Sequence, residues 1–255
     1  MKIEEENKEE LASSYLEGRN AVLEAMRAER TIEKIMVQKG NVDGTLKKIV
    51  AKAKDAGIVV QEVAKQKLDE LSQTKNHQGV MAMISAHEYA ELEDIFVLAE
   101  KKGESPFIVI LDNITDPHNL GAIIRTANSA GVHGVIIPKR RAVGITPVVA
   151  KSSAGAVEYV PVVRVTNIAR TIEELKERNV WVACADMDGE IYYKSNLKGA
   201  MAVVVGNEGD GVSRLVKEKC DFVVKVPMYG EISSLNVSVA ASLLMYEVVR
   251  QRNFV

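Results

Sequence analysis

Cysteine is nearly absent from the 255-residue sequence, with Cys184 and Cys220 the only two. Neither sits at a metal-ligand or Cys-x-x-Cys spacing, which excludes a disulfide scaffold, a zinc ribbon and a thiol redox motif. Histidine is scarce as well. His77, His87, His118 and His133 stand apart from any cysteine or carboxylate at ligand spacing, so each reads as a satisfied surface or turn residue and no metal is expected. No apolar run approaches the ~20 residues needed to span a bilayer. The opening decapeptide, Met1 to Glu10, is acidic and lacks the apolar core of a signal peptide. A cytoplasmic protein with no membrane partner is expected. A basic surplus is missing too: the net charge is −2. Residues 1–104 hold 16 Lys+Arg against 20 Asp+Glu, and residues 105–255 hold 17 against 15. Any nucleic-acid footprint must therefore come from local clusters.

What the chain does have is apolar patterning, with 47% hydrophobic residues, enough for two modest cores. Helical spacing over Ala21–Met26, Gly44–Ala56 and Ala64–Leu71 alternates with strand-like Lys34–Val37, Ile58–Val60 and Gly79–Ile84. This predicts a small α/β domain over 15–87, after a flexible acidic extension at 1–14. Charge then rises, and Lys101-Lys102-Gly103-Glu104-Ser105-Pro106 breaks the pattern, so 88–104 is expected to be a linker.

Beyond it, over 105–255, the alternation strengthens. Phe107-Ile108-Val109-Ile110-Leu111 reads as a strand buried on both faces. Further strands are expected at 134–137, 159–163, 180–184, 202–205 and 222–226. Helices are expected at 120–130, 168–178, 213–219 and 237–252. Strand and helix alternating in this way predict a mainly parallel sheet covered on both faces.

Three polar segments follow apolar strands, where open α/β sheets bind ligands. The first runs Asp112-Asn113-Ile114-Thr115-Asp116-Pro117-His118-Asn119-Leu120-Gly121-Ala122-Ile123-Ile124-Arg125-Thr126-Ala127. Asn119 is a candidate helix cap, and Arg125 lies about one and a half turns further on. The second, Gly206-Asn207-Glu208-Gly209-Asp210-Gly211, lets backbone approach a ligand. It is neither a P-loop nor a dinucleotide fingerprint, and Glu208 within it disfavours phosphate. The third includes Ser233-Ser234-Leu235-Asn236-Val237-Ser238, where Ser234 or Asn236 could cap the last helix. Taken singly, each has a plain structural reading. So does Lys139-Arg140-Arg141, which alone reads as a solvated charged loop.

Together and in this order, the three segments resemble the three signature motifs of the SpoU (TrmH-type) branch of the SPOUT methyltransferases. Leu16-Glu17-Gly18-Arg19-Asn20-Ala21-Val22 and Asn76-His77-Gln78-Gly79-Val80 resemble the ribosomal-protein-L30e-like substrate-binding domain of larger members. The resemblance extends from about Tyr15 to near the end and is nearest to bacterial 23S rRNA guanosine-2'-O-methyltransferases. It implies an α/β fold whose parallel sheet carries a deep trefoil knot, a homodimer, and S-adenosyl-L-methionine as cofactor. The cofactor would be held largely by backbone at Gly206, Val226 and Leu235, with Val205, Asn207 and Ile232 beside them. Arg125 would be the main catalytic residue, surrounded by Asn119, Glu208, Ser234 and Asn236. RNA would be met by Arg19, Asn20, Gln78, Arg140 and Arg141.

A guanidinium stays protonated at neutral pH, so Arg125 is expected to hold the nucleotide and stabilise a developing alkoxide, and not to act as a free base. A nonenzymatic RNA-binding assembly factor is the main rival, opposed by the presence of Asn119, Arg125, Glu208 and Asn236 together. A tRNA 2'-O-methyltransferase shares the chemistry and differs in substrate. A nucleotide-dependent dehydrogenase lacks its glycine fingerprint.

Overall fold

The computed structural model describes residues 15–40, 43–207 and 209–254. The acidic extension expected at 1–14 and the candidate residue Glu208 lie outside the described residues. The chain divides into two compact units. One reaches to Glu88 and takes in Gly144–Val148; the other comprises Tyr89–Val143 and Val149–Val255.

Among the described residues the first unit is a four-stranded sheet with three helices. Its strands are β1 (Tyr15–Glu17), β2 (Ile32–Gln38), β3 (Val59–Val63) and β4 (Val80–Ile84). They lie in the order β1-β4-β2-β3, with β2 and β3 parallel and the other pairs antiparallel. Helices α1 (Arg19–Arg27), α2 (Gly44–Asp55) and α3 (Lys65–Leu71) connect them. Asp43 starts α2 by accepting hydrogen bonds from Thr45 N at 3.0 Å and Leu46 N at 3.1 Å, which satisfies two otherwise orphaned helix donors. Val22, Ile35, Leu46, Ile49 and Val80 form the centre of this core. Each such apolar side chain contributes about 1.5–3 kcal/mol when buried.

The second unit carries β5 (Phe107–Asp112), β6 (Gly134–Pro138), β7 (Val162–Val165), β8 (Trp181–Ile191), β9 (Met201–Gly206) and β10 (Phe222–Lys225). Their order is β10-β8-β9-β5-β6-β7, and every neighbouring pair is parallel. The helices are α4 (Leu92–Lys102), α5 (Pro117–Ser129), α6 (Pro147–Ser152, whose first two residues count with the first unit), α7 (Ile168–Glu177), α8 (Arg214–Lys219) and α9 (Val237–Phe254). Strand β5 is central and buried along its whole length, as its unbroken apolar sequence requires.

Four local differences from the sequence reading have physical reasons. The interval 88–104, expected as a linker, carries α4: Ile95 and Ala99 face the core while its charged residues stay exposed. Helix α5 begins at Pro117, and Asp116 caps it by accepting from His118 N at 3.0 Å. Asn119 is consequently inside the first turn and is not the cap. His77 and His133 lie at turns, one of the two readings offered for them, but are buried and not at the surface. Each is satisfied internally, His77 by Asp69 at 2.9 Å and Gly79 N at 3.0 Å, His133 by Phe107 N at 3.0 Å and Glu104 at 3.1 Å. Strand β8 continues past Cys184, the expected end, to Ile191.

Among the described residues no helix is long and apolar enough to cross a membrane, and no group of three or more His, Cys, Asp or Glu is placed to hold a metal.

Candidate active site

Parallel strands send their carboxyl ends to one edge of the sheet, and there the second unit opens a cleft of about 420 Å³. That volume lies in the range of ~300–1,000 Å³ typical of small-molecule sites. The cleft sits where β8, β9 and β10 end. Val205, Gly206, Asn207, Val226, Ser234 and Leu235, all singled out from sequence, line it. Ile232 does not: it is 74% exposed, because the chain arcs outward between Met228 and Ser233, which do line the cleft.

The glycine-rich loop is held by its own asparagine. Asn207 Oδ1 accepts from Gly209 N at 2.9 Å, its Nδ2 donates to Asn113 O at 3.2 Å, and its carbonyl accepts from Gly211 N at 2.8 Å. The loop folds back so tightly that a Cβ on Gly206 would collide with the backbone of Gly211 and Val212. At the neighbouring strand end, buried Asp112 accepts from Ser213 N at 2.8 Å and fixes the start of α8.

Beside the cleft, Asn236 Nδ2 donates to Asn119 Oδ1 at 3.0 Å, joining two segments 117 residues apart. The Asn236 Oδ1 accepts from Ser238 N at 2.9 Å, so Asn236 is the residue that caps α9. Ser242 on α9 also meets Thr126 on α5, with the hydroxyls 3.2 Å apart. Arg125 stands next to that contact but is exposed, does not line the cleft, and has no ion pair with another described residue. Its separation from Asn119 by six positions turns it about 240° around the helix axis. The structure thus brings Asn119 and Asn236 together beside the cleft and leaves Arg125 outside the lining.

Of the residues expected to meet RNA, Arg140 and Arg141 are exposed in the turn after β6. In the first unit Asn20 and Gln78 are exposed. Arg19 is engaged within its own unit, pairing with Asp43 at 2.7 Å and donating to the Gln78 carbonyl at 3.2 Å. Hydrogen bonds from Leu46 N and Thr45 N, together with Arg19, hold the Asp43 carboxyl below the usual carboxylate range.

Sequence reasoning missed a further wall of the cleft, formed by Ala185, Asp186 and Met187 of β8. The signal was the polar run Asp186-Met187-Asp188-Gly189-Glu190 directly after an apolar strand. Lys217 of α8 clasps it, 2.9 Å from Asp186 and 2.7 Å from Asp188. Hydrogen bonding to Asp188 and Asp186 raises the Lys217 ammonium, and the same bond lowers the Asp188 carboxyl.

Residues 106–246, more than half of the chain, match the SpoU rRNA Methylase family. The chain belongs to that family. Residues 15–90 match the RNA 2'-O ribose methyltransferase substrate-binding family. This SpoU chain is 52% identical over 241 residues to YacO of Bacillus subtilis, a protein named for the TrmH family of tRNA/rRNA methyltransferases; the match covers 94% of this chain and 96% of that one. A Staphylococcus haemolyticus protein named for the same family is 51% identical over 238 residues, covering 92% and 95% of the two chains. In fold, the SpoU chain is similar to AviRb of Streptomyces viridochromogenes, a SpoU methyltransferase solved in complex with AdoMet. The TM-score is 0.59 at 24% identity, over 93% of this chain and 89% of that chain. The protein is an RNA methyltransferase of the TrmH/SpoU family.

Proposed function

We propose that this enzyme methylates a ribose 2'-hydroxyl of RNA with S-adenosylmethionine, and that its substrate is a guanosine of 23S rRNA. The observation that carries the reading is the cleft at the carboxyl ends of β8, β9 and β10, lined by the loops that contain two of the three motif segments. Its chemistry fits the cofactor. The charged side chains lining it among the described residues are Asp186, Asp210 and Lys225, with no arginine and a net negative sum. Such a wall repels phosphate and tolerates a cationic, unphosphorylated nucleoside. Gly206, Val226 and Leu235 would hold the cofactor, the first because no side chain fits between it and Gly211. When bound, S-adenosylmethionine supplies the electrophilic methyl group.

The protein's own task is then to place one hydroxyl and manage its charge. Asn119 and Asn236 form a fixed amide pair next to the cleft that can orient the ribose. Ser234, on the cleft wall, would anchor the loop that lines the cofactor site. Arg125 neutralises the alkoxide that develops on the 2'-oxygen and holds the nucleotide; Glu208 is assigned the role of orienting it. Because a guanidinium does not accept protons at neutral pH, the proton leaves to another group or to phosphate. Exposed Arg125 finds its place in a homodimer. Val239, Leu243 and Tyr246, spaced along one stripe of α9, are 47%, 37% and 50% exposed, an apolar face that a second copy would cover. The first unit selects RNA through Asn20 and Gln78, with Arg19 shaping the Gln78 turn, and Arg140 and Arg141 supply phosphate contacts.

The test is transfer of a labelled methyl group to unmodified 23S rRNA and, in parallel, to unmodified tRNA. Label at one guanosine of 23S rRNA is the expected result. Label in tRNA alone keeps the chemistry and overturns the substrate. Tight RNA binding without transfer to either overturns the enzyme reading in favour of an assembly factor.

A further inference from the structure

The missed wall of the cleft is more than a surface excursion of β8. Ala183 and Cys184 pair with Phe222 and Val223 of β10, and the next residues of β10, Val224 and Lys225, pair with Glu190 and Ile191. Residues 185–189 are therefore looped out with nothing opposite them, at the carboxyl edge where the cleft opens. The loop is closed by Gly189, where a Cβ would lie 2.6 Å from Val223 C and O and from Val224 N. Asp186 is fixed by Lys217 Nζ at 2.9 Å, and that ammonium also grips both oxygens of Asp188 at 2.7 and 2.9 Å. A looped strand, a backbone contact that admits only glycine and a two-carboxylate clasp together make a built wall, and Asp186 is the acidic residue of that wall that lines the cleft.

The chemistry of that carboxylate narrows what it can take. One Lys217 ammonium is shared by the carboxylates of Asp186 and Asp188, so the clasp keeps a net negative charge, in keeping with a cationic nucleoside in the cleft. Each carboxylate oxygen has two lone pairs; among the described residues Asp186 Oδ2 meets Lys217, Oδ1 accepts from Asp188 N at a long 3.4 Å, and the Asp188 carboxyl lies beside it. Acceptor capacity therefore remains on a held carboxylate in the looped-out part of β8, at the carboxyl edge of the sheet. That is the position and chemistry by which an acidic residue in nucleotide-binding α/β sheets accepts from ribose hydroxyls.

We propose that Asp186, held by Lys217, is the residue that reads the ribose hydroxyls of the nucleoside in the cleft. The assignment rests on the cleft being the S-adenosylmethionine site. It makes Asp186 a specificity residue for cofactor binding that acts before any RNA arrives.

The experiment is calorimetric binding of S-adenosylhomocysteine and its 2'-deoxy and 3'-deoxy ribose forms to the full chain. Wild type, Asp186→Asn and Lys217→Met are compared, with circular dichroism as a check on folding. Wild type is expected to prefer the intact ribose by about tenfold or more, the cost of losing a hydrogen bond to a charged acceptor. In Asp186→Asn that preference falls towards unity, and in Lys217→Met it falls severalfold, because the carboxylate is no longer held. Ribose preference unchanged in both variants overturns the assignment. So does an Asp186→Asn protein that keeps its ribose preference but no longer distinguishes S-adenosylmethionine from methylthioadenosine, since the carboxylate would then be reading the amino-acid end. Should wild type bind none of these nucleosides, the cofactor reading of the cleft fails first, and the two failures stay distinct.

Discussion

At the scale of single residues, the proposed mechanism separates groups that position from groups that handle charge. It assigns Arg125 to the second kind. Replacing it with alanine is expected to lower kcat by on the order of 100-fold or more, the typical cost of removing one donor to a developing oxyanion. Arg125→Lys should recover only part of this, because an ammonium lacks the planar fork of the guanidinium. Full turnover in the lysine variant across neutral pH, measured by single-turnover methyl transfer, would contradict the role. His133 makes a different kind of prediction. Burial, with Lys102 and Arg252 nearby, lowers its pKa against the opposing pull of Glu104. Its Nδ1 accepts from Phe107 N, so the folded protein holds it neutral. The unfolded chain takes up a proton near pH 6.5 and the folded chain does so only below it, so stability is complete above that value and is lost as the pH falls further. Urea midpoints should drop between pH 7 and 5.5 in wild type and stay flatter in His133→Gln. Equal slopes in the two would remove His133 as the cause.

At the scale of elements, close approach of backbones governs the site. Gly121 lies one turn before Arg125 on α5, and a Cβ there would sit 2.7 Å from Ser152 Cβ and also meet the Ser152 backbone. Gly121→Ala is expected to destabilise the protein by about 1–3 kcal/mol through overpacking, readable as a lowered thermal midpoint. Gly206→Ala should act locally instead, forcing the loop from Gly211 and abolishing cofactor binding while most of the fold persists. This is also where the sequence was most and least legible. The strand at Phe107–Leu111 and the helix from Val237 could be read because an unbroken apolar run and a capping residue ahead of the segment each report local structure. The looped-out part of β8 could not, since Asp186 to Asp188 look like any polar turn until Lys217, far along the chain, is seen holding them. Helix α4 was obscured for a related reason, its charged exposed face outweighing two buried positions.

At the scale of the whole molecule, the parallel sheet and the ligand edge followed from strand-helix alternation, and the motif residues that converge on the cleft were identifiable by type. Their pairing was not: the Asn119–Asn236 contact joins segments 117 residues apart, and nothing local announces it. Arg125 could be placed on its helix but not relative to the cleft, because helical spacing gives direction and no partner. A net charge of −2 leaves RNA binding to local patches such as Lys139-Arg140-Arg141. Affinity for RNA is therefore expected to fall steeply between 50 and 200 mM salt, with a slope of about −0.7 to −0.9 per phosphate contact. Arg140→Ala with Arg141→Ala should reduce that slope by up to about two, and a slope unchanged in the double variant would place the footprint elsewhere. The central claim is that the cleft directs a methyl group to ribose, and the most direct test is where the label ends up. After transfer from labelled S-adenosylmethionine to unmodified 23S rRNA, the product is digested to nucleosides and analysed by mass spectrometry. The account requires the added methyl on the sugar, as a 2'-O-methylguanosine absent from the Gly206→Ala reaction. A methyl on the base, or equal transfer by Gly206→Ala, would contradict it.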